Sequence, residues 1–290
     1  EFYQQNPFYF GATVGRYGGR IANAEFHLDG TTYRLDTNDG ENNIHGGFNG
    51  IDKCYFDYEI FEQVGQVKIV FSTTIQQSDD YFPGNIDLEV IHTYDVDHKW
   101  TIEYKAVTTE KTIFNPMNHV YFNLNRDNNV IDNHSISSST LKMHLLDNDH
   151  FVTKQKPLNL EHVFARNHIQ FKDIFNSEHH DIQSQMKRYG GLDHPFQIGE
   201  QGMTVENKHF QLTVETDMPN VVIFTFNDTT EWESDFNIYK AHSGFTLETQ
   251  CIPNDINLYG EDAPSILEAN QPFYSKTSYK IAEKNCEEVE

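Results

Sequence analysis

The chain has little cysteine, little positive charge and no long hydrophobic run. Its three cysteines, Cys54, Cys251 and Cys286, lie far apart in the 290 residues and form no C-x-x-C pair. An odd number of cysteines without metal-binding spacing fits free thiols in a reducing compartment. No stretch of about 18 apolar residues occurs, and the N-terminus has no basic-then-apolar signal pattern. We therefore expect a cytoplasmic protein.

Positive charge is scarce. The chain has 21 lysines and arginines against 44 aspartates and glutamates, which gives a formal net charge of −23. A surface this negative repels the phosphates of nucleic acids and anionic lipids. The composition thus argues against nucleic acid and membranes as partners, and most of the acidic residues are expected to form a solvated face.

Several catalytic motifs are also absent. The sequence has no P-loop, no G-x-G-x-x-G after a strand and no G-x-S-x-G, which argues against phosphoryl transfer, hydride transfer and serine hydrolysis. His179-His180-Asp181 and His242 lack the spacing of a zinc site, and no H-E-x-x-H occurs. We predict no metal and no cofactor, which leaves an enzyme that transfers protons with its own side chains.

What the sequence does contain is a strand-rich pattern. Runs of alternating apolar and polar residues predict strands at 24–28, 55–60, 67–71, 86–91, 100–104, 210–214 and 221–226. Helix is predicted only in short pieces, near Leu158 to Phe164, and the polar stretches 125–133 and 176–185 are predicted as exposed loops. We infer an all-β fold with antiparallel sheets large enough to stack. No linker or repeat is visible, so residues 1–290 are expected to form a single domain.

Four polar signatures stand out on this background. Each places one or two ionisable groups beside glycine or an apolar run, as the wall of a pocket does. They are Gly15-Arg16-Tyr17-Gly18-Gly19-Arg20-Ile21, Asn43-Ile44-His45-Gly46-Gly47, Asn118-His119-Val120-Tyr121-Phe122-Asn123-Leu124 and Leu247-Glu248-Thr249-Gln250. Histidines that donate a proton and a carboxylate that accepts one are the minimum for acid–base chemistry on a neutral molecule.

Alternation would place His119, Tyr121 and Asn123 on one face of a strand. Such a face suits a polyol ligand, but the alternative is a structural histidine satisfied by a neighbour. Glu248 follows an apolar run, and partial burial there would raise its basicity toward that of a general base. The alternative for Glu248 is a surface carboxylate at the end of a strand.

Three further residues are candidates for contacts to a ligand. Asp193 follows Gly190-Gly191, where the backbone can approach a ligand closely, although an ordinary turn is the alternative. His45 precedes Gly46-Gly47 and is interpreted in the same way. Arg20 offers a planar set of donors to neighbouring hydroxyls, whereas Arg16 is as well explained as a surface or strand-pairing charge.

Taken in order, these segments resemble the aldose 1-epimerases, the galactose mutarotases. The similarity extends from about Phe10 to the C-terminus. It includes residues 11–16, Asn23, residues 44–47, 82–85 and 118–124, Leu192-Asp193-His194, Phe224-Thr225 with Asn227, residues 247–250 and residues 264–267. One such match is weak, but this many in one order is a specific signal.

The resemblance implies a β-supersandwich with a shallow sugar-binding cleft and the interconversion of α and β anomers of galactose or glucose. It implies that Glu248 removes the proton of the C1 hydroxyl and that His119 protonates the ring oxygen, with His45 sharing the work of the acid. It also implies that Arg20 and Asp193 hold ring hydroxyls, with Tyr121 and Phe224 as further substrate-binding residues. The expected partner is a monosaccharide, and the protein is expected to be a monomer or a homodimer.

Two departures from the family pattern affect sugar contacts rather than the acid and the base. Gly19 replaces the asparagine usual before Arg20, and Val222 replaces a common glutamine. The family also has further residues before the equivalent of Phe10, so some of its early strands are expected to lie outside this chain. Two other functions therefore stay open, a catalytically silent sugar-binding module and a hexose-6-phosphate 1-epimerase. The scarcity of lysine and arginine argues against a phosphorylated substrate.

Overall fold

The computed structural model describes residues 3, 6–127, 130–228, 232–233 and 238–284. Cys286 and residues 128 and 129 of the loop predicted at 125–133 lie outside the described residues. Cys54 and Cys251 are free thiols, as expected.

The described chain contains both short and long strands. They are β1 (Thr13–Val14), β2 (Arg20–Ile21), β3 (Glu25–Leu28), β4 (Thr31–Arg34), β5 (Asn43–Ile44), β6 (Asp57–Gln63), β7 (Gln66–Ile75), β8 (Ile86–Asp95), β9 (Lys99–Thr108), β10 (Thr112–Ile113), β11 (Met117–Asn118), β12 (Tyr121–Phe122), β13 (Ser135–Ser138), β14 (Leu141–Met143), β15 (Leu158–Asn159), β16 (Ile169–Gln170), β17 (Asp193–Ile198), β18 (Met203–Glu206), β19 (Phe210–Thr216), β20 (Asn220–Phe224), β21 (Trp232–Glu233), β22 (Ile238–Tyr239), β23 (Phe245–Thr246), β24 (Glu248–Gln250), β25 (Ile266–Leu267) and β26 (Pro272–Glu283). All the runs predicted as strands overlap one of these.

Two antiparallel sheets dominate the fold. One has nine strands in the order β16-β13-β18-β19-β26-β9-β8-β7-β6, and the other has five in the order β15-β14-β17-β20-β24. Buried residues of both sheets meet in one core, Val90 and Ile102 from the larger and Phe196 and Val221 from the smaller. The sheets are therefore stacked face to face, which confirms the predicted all-β architecture.

Helices are short and lie between strands. They are α1 (Gln77–Asp80), α2 (Leu160–Phe164), α3 (Phe171–Phe175), α4 (His180–Tyr189) and α5 (Asp255–Tyr259), with 3-10 turns at Ala22–Ala24, Ile51–Lys53, Ile131–Asn133 and Gly260–Asp262. Helix α2 lies where short helix was predicted. In the described part of the chain, no helix is long and apolar enough to cross a membrane.

The prediction of a loop at 176–185 is wrong for its second half, because α4 begins at His180. Few residues of this helix are apolar, but Ile182 and Met186 fall on one face and are buried. Gly190 then ends the helix in the left-handed conformation. The buried apolar residues of this helix span a single turn, which is too short to show a helical repeat in the sequence.

Arg16 corrects the expectation of a surface or strand-pairing charge. Its side chain is fully buried, and its guanidinium donates from Nε and Nη2 to the two carboxylate oxygens of Asp80 at 2.7 and 3.0 Å. Nη1 donates to the carbonyl of Pro83. This bidentate pair joins the segment of the first signature to α1 and accounts for the arginine without a ligand.

Candidate active site

One cavity gathers nearly all of the predicted site residues. Its volume, counted together with the open solvent at its mouth, is about 690 Å³. Its lining consists of Gly19, Arg20, Ile44, His45, His119, Leu146, His150, Val152, Asp193, Pro195, Val222, Phe224, Glu248, Gln250 and Pro253. Residues from the first signature to the last therefore meet in one place.

Strand register builds one wall of this cavity. Val222 on β20 lies opposite Pro195 on β17 and opposite Glu248 on β24. Phe224 lies opposite Asp193, two residues from Pro195. Because directly paired residues, and residues two apart on a strand, share a face, all five side chains point into the cavity. The alternate residues of the same strands, such as Val221 and Ile223, lie in the core.

A second wall comes from the pairing of β2 with β5, which places Arg20 opposite Ile44 and beside His45. The amide of Gly19 donates to Nδ1 of His45 at 3.1 Å, and the amide of His45 donates to the carbonyl of Gly19 at 3.1 Å. Since Nδ1 accepts, a neutral His45 carries its proton on Nε2. Burial, together with the nearby His119 and Arg20, holds the pKa of His45 well below its usual value. His45 is therefore a neutral hydrogen-bond donor.

His119 and Glu248 lie side by side on the floor of the cavity. Nε2 of His119 is 3.3 Å from Oε1 of Glu248, and the two side chains are only 7% and 5% exposed. Burial lowers the pKa of His119 to about 4 and raises that of Glu248 to about 8. Both groups therefore favour their neutral forms, and between these two values the pair holds one proton.

The carboxylate of Glu248 is held from both sides. The hydroxyl of Thr246 donates to Oε1 at 2.8 Å, and the amide of Gln250 donates to Oε2 at 3.1 Å. Asn115 in turn donates to the amide oxygen of Gln250 at 3.3 Å, which fixes the orientation of that amide. These bonds oppose the effect of burial on the Glu248 pKa and fix the direction in which the carboxylate points.

Arg20 and Asp193 lie together near the mouth. Nη1 of Arg20 is 3.6 Å from Oδ2 of Asp193, and its Nε donates to Asp39 at 2.6 Å. Burial alone would raise the pKa of Asp193, but the bond from His150 and the charge of Arg20 outweigh it, so that this pKa is lowered. Asp193 is thus a carboxylate beside a cation, and together they present donors and acceptors to hydroxyl groups.

Of the seven predicted site residues, Tyr121 alone does not line this cavity. Its ring packs against that of His119 with centroids 5.1 Å apart, and its hydroxyl donates to the carbonyl of Phe8 at 3.1 Å. The side chain lines a neighbouring cavity with Phe10 and Phe226. Phe224, in contrast, lies in the cavity wall.

Sequence reasoning missed His150 and Gln250. Gln250 belongs to a recognised signature, but its contact with Glu248 depends on side-chain geometry that no spacing encodes. His150 lies in a polar segment after β14 with nothing to distinguish it from the chain's other histidines. The structure places its Nδ1 3.2 Å from Oδ2 of Asp193. His194, the other half of the Asp193-His194 pair, is fully buried outside the cavity and contacts Gln185.

This arrangement suits proton transfer on a neutral polyol. An acid–base pair lies at the buried end of the cavity, and several hydrogen-bonding groups surround it. Among the described residues, no group of three or more His, Cys, Asp or Glu is arranged to hold a metal ion.

Comparison with known proteins gives a consistent result. The aldose 1-epimerase family model matches residues 1–280. The chain is 27% identical to maltose epimerase of Levilactobacillus brevis, over 97% of this chain and 82% of that protein. It is 29% identical to aldose 1-epimerase of Haemophilus influenzae over 96% and 82% of the two chains. It is 30% identical to galactose mutarotase of Sus scrofa over 89% and 74%.

Solved structures share the fold. The crystal structure of galactose 1-epimerase from Lactobacillus acidophilus NCFM aligns with a TM-score of 0.84 at 25% identity, over 98% of this chain and 82% of the other. An aldose epimerase homologue from C. elegans aligns with a TM-score of 0.77 at 20% identity, over 98% and 85%.

Proposed function

The chain belongs to the aldose 1-epimerase family, and from that premise we propose that it interconverts the α and β anomers of D-galactose and D-glucose. As a member of this family it is an isomerase. The observation that carries the proposal is the 3.3 Å contact between His119 and Glu248 at the floor of the cavity. A module that only binds sugar needs neither a proton donor nor a base there.

The side-by-side arrangement suits this reaction. In a pyranose the anomeric hydroxyl and the ring oxygen are bonded to the same carbon, C1. An acid and a base that are neighbours can therefore reach both oxygens from one edge of the sugar. They do not need to lie on opposite sides of the ring.

Ring opening requires two proton transfers. The carboxylate of Glu248 removes the proton of the C1 hydroxyl, the electron pair of that O–H bond forms the C1 carbonyl, and the bond from C1 to the ring oxygen breaks. His119 gives its proton to the ring oxygen as this bond breaks. Rotation about the C1–C2 bond and reclosure, with the two residues in exchanged roles, yield the other anomer.

Burial favours carboxylic acid and neutral imidazole, whereas this step uses carboxylate and imidazolium. The two states differ by one proton transferred between Oε1 of Glu248 and Nε2 of His119. Thr246 and Gln250 donate to the carboxylate of Glu248 and so favour its charged form. In this proposal the Nε2 proton of His45 donates to an oxygen near C1.

The remaining hydroxyls would be held by Arg20 and Asp193. Among the described residues that line the cavity, Arg20 is the one lysine or arginine, and it lies between the carboxylates of Asp39 and Asp193. That pairing leaves little positive potential for a phosphate, which argues against a hexose 6-phosphate. We propose a small neutral sugar as the partner in the cytoplasm, which the net charge of −23 supports by disfavouring nucleic acid and membranes.

The test is polarimetry with freshly dissolved α-D-galactose, α-D-glucose, maltose and glucose 6-phosphate. Maltose is included because a similar protein is a maltose epimerase. We expect the exchange of galactose and glucose anomers to exceed the rate in buffer alone, with little acceleration for the phosphate. Binding of galactose by calorimetry without any acceleration would instead identify a silent sugar-binding module.

A further inference from the structure

The segment from Leu146 to Val152 forms a tight loop at the mouth of the cavity. Leu146 and Val152 pair across its base. The amide of Asp147 donates to the carbonyl of Phe151 at 2.8 Å, and the Asp147 carboxylate accepts from the amides of Asp149 and Phe151 at 2.9 and 3.0 Å. The loop thus has its own hydrogen-bonded framework.

Helix α4 holds this loop in place from outside. The side-chain amide of Gln185 accepts from the amide of Leu146 and donates to its carbonyl, both at 3.0 Å. Gln185 also contacts Nε2 of His194 at 2.8 Å. The hydroxyl of Tyr189 donates to the carbonyl of Asp147, and its ring packs on that of His150 with centroids 4.6 Å apart. The loop is fixed by buried and aromatic contacts rather than left free.

His150 takes a left-handed backbone conformation in this loop, with φ of 67°. Such a conformation is uncommon for residues other than glycine and persists only where surrounding contacts impose it. Here it directs the imidazole toward Asp193, where Nδ1 lies 3.2 Å from Oδ2. The ring also lines the cavity.

The contact with Asp193 determines what His150 offers a ligand. A carboxylate accepts hydrogen bonds, so Nδ1 carries a proton in this contact. In the neutral ring Nε2 is then an acceptor, and no partner for it is found in the part of the chain that the structure describes. Because the ring lines the cavity, Nε2 is available to a hydroxyl of a bound sugar.

We propose that His150 is a specificity-determining residue that accepts a hydrogen bond from one substrate hydroxyl and orients Asp193 toward the sugar. This inference rests on the proposed function and deepens it. Val222, on the wall opposite Pro195, has no hydrogen-bonding group, and Leu146 and Val152 are apolar. Among these neighbours the imidazole of His150 supplies the polar contact, and it sits on a loop rigid enough to discriminate between sugars.

The experiment compares His150→Asn with the unmutated protein. Asparagine tolerates the left-handed conformation but is too short to replace the imidazole. We expect KM for galactose and glucose to rise about five- to tenfold, as for the loss of one hydrogen bond, with kcat within about twofold. Asn148→Ala, an exposed change in the same loop, is the matched control and should leave both constants unchanged.

A series of 2-, 3-, 4- and 6-deoxygalactose separates a direct contact from a distorted loop. With the sugar that lacks the contacted hydroxyl, His150→Asn should raise KM much less than it does with galactose. An equal rise for every sugar, or an unchanged KM for galactose, would overturn the proposal. Thermal unfolding checks that the variant folds, and His150→Gly, which accepts the left-handed conformation without strain, provides a second variant if it does not.

The two proposals fail in different ways. If the unmutated protein does not accelerate anomer exchange, the proposed function fails, and the same comparison is made with dissociation constants from calorimetry. A weaker affinity confined to sugars that carry one particular hydroxyl would then still support a contact from His150. If His150→Asn bound every one of these sugars as tightly as the unmutated protein, the contact from His150 would be refuted.

Discussion

The ring of Pro253 packs against Gly19 so closely that a Cβ added at residue 19 would lie 2.6 Å from the Cγ of the proline. Gly19 also has a positive φ of 74°. Both residues line the cavity, and Pro253 occupies the space that a side chain at residue 19 would need.

This contact predicts that an asparagine at residue 19 destabilises the protein. Gly19→Asn should destabilise the protein by about 1–3 kcal/mol, since the proline ring must shift. Gly40→Asn is the control, because Gly40 has a similar φ of 62° but nothing within 4 Å of an added Cβ. Denaturant unfolding should show a clearly larger loss for Gly19→Asn, and Pro253→Gly in the same protein should recover part of it. Equal losses at both glycines would mean that backbone conformation alone is responsible.

The acid–base pair predicts a broad pH profile. Catalysis requires the pair to hold one proton, so kcat/KM should be level between the pKa of His119, about 4, and that of Glu248, about 8. Below the lower value the pair gains a second proton and loses its base. Above the higher value it loses its last proton and has no acid. Polarimetric rates, corrected for buffer, test this, and a level rate from pH 8 to 10 would contradict it.

Removing either member of the pair should leave a folded but slow protein. His119→Asn and Glu248→Gln are each expected to reduce anomer exchange by about 10² or more. Glu59→Gln, on the exposed strand β6, is the control for the charge change and should keep full activity. Variants as fast as the parent, measured by polarimetry with α-D-galactose, would refute the assigned roles.

Tyr9 should affect the pH profile of kcat/KM although it does not contact the reacting atoms. Its ring lies 4.7 Å from that of His45 and 5.8 Å from that of His119, between centroids. Because burial depresses the pKa of His119, Tyr9→Ala should let water approach and raise this pKa. The acidic limb of kcat/KM should then move to higher pH. Tyr9→Phe keeps the ring and should restore the original limb, and an unmoved limb in Tyr9→Ala would exclude the positioning role.

The buried Arg16–Asp80 pair predicts a stability effect far from the cavity. Asp80→Asn leaves the guanidinium without its counter-charge and should lower the free energy of unfolding by about 3–5 kcal/mol. Arg34→Ala, which breaks an exposed pair with Glu25, should cost less than about 1 kcal/mol. Urea unfolding of both variants measures the difference. Similar small losses would show that Arg16 is not a structural charge.

The sequence predicted much of this molecule, for identifiable reasons. Alternation located strands such as β8 and β9 because alternate residues along much of each strand are buried. The order of the four signatures led to six of the residues that line the cavity. What it could not predict depends on contacts between distant segments. Arg16 is buried because it pairs with Asp80, which lies far away in the sequence. The pKa of Glu248 is raised because the side chain is buried next to His119. Helix α4 was missed because its buried face spans a single turn.

His150 shows the same limit most clearly. Its side chain reaches the cavity only because Gln185 and Tyr189, on a helix that the sequence did not predict, hold its loop. No pattern within residues 146–152 carries that information.

The alternation of core and cavity residues along β20 links catalysis to strand alignment. If β20 shifted by one residue against β17 and β24, Val221 and Ile223 would enter the cavity and Val222 and Phe224 would leave it. A chain misaligned in this way could still be collapsed and rich in strand, yet inactive. Recovered turnover after refolding would therefore be a stricter criterion of the native state than circular dichroism, and it offers a direct way to count correctly assembled molecules.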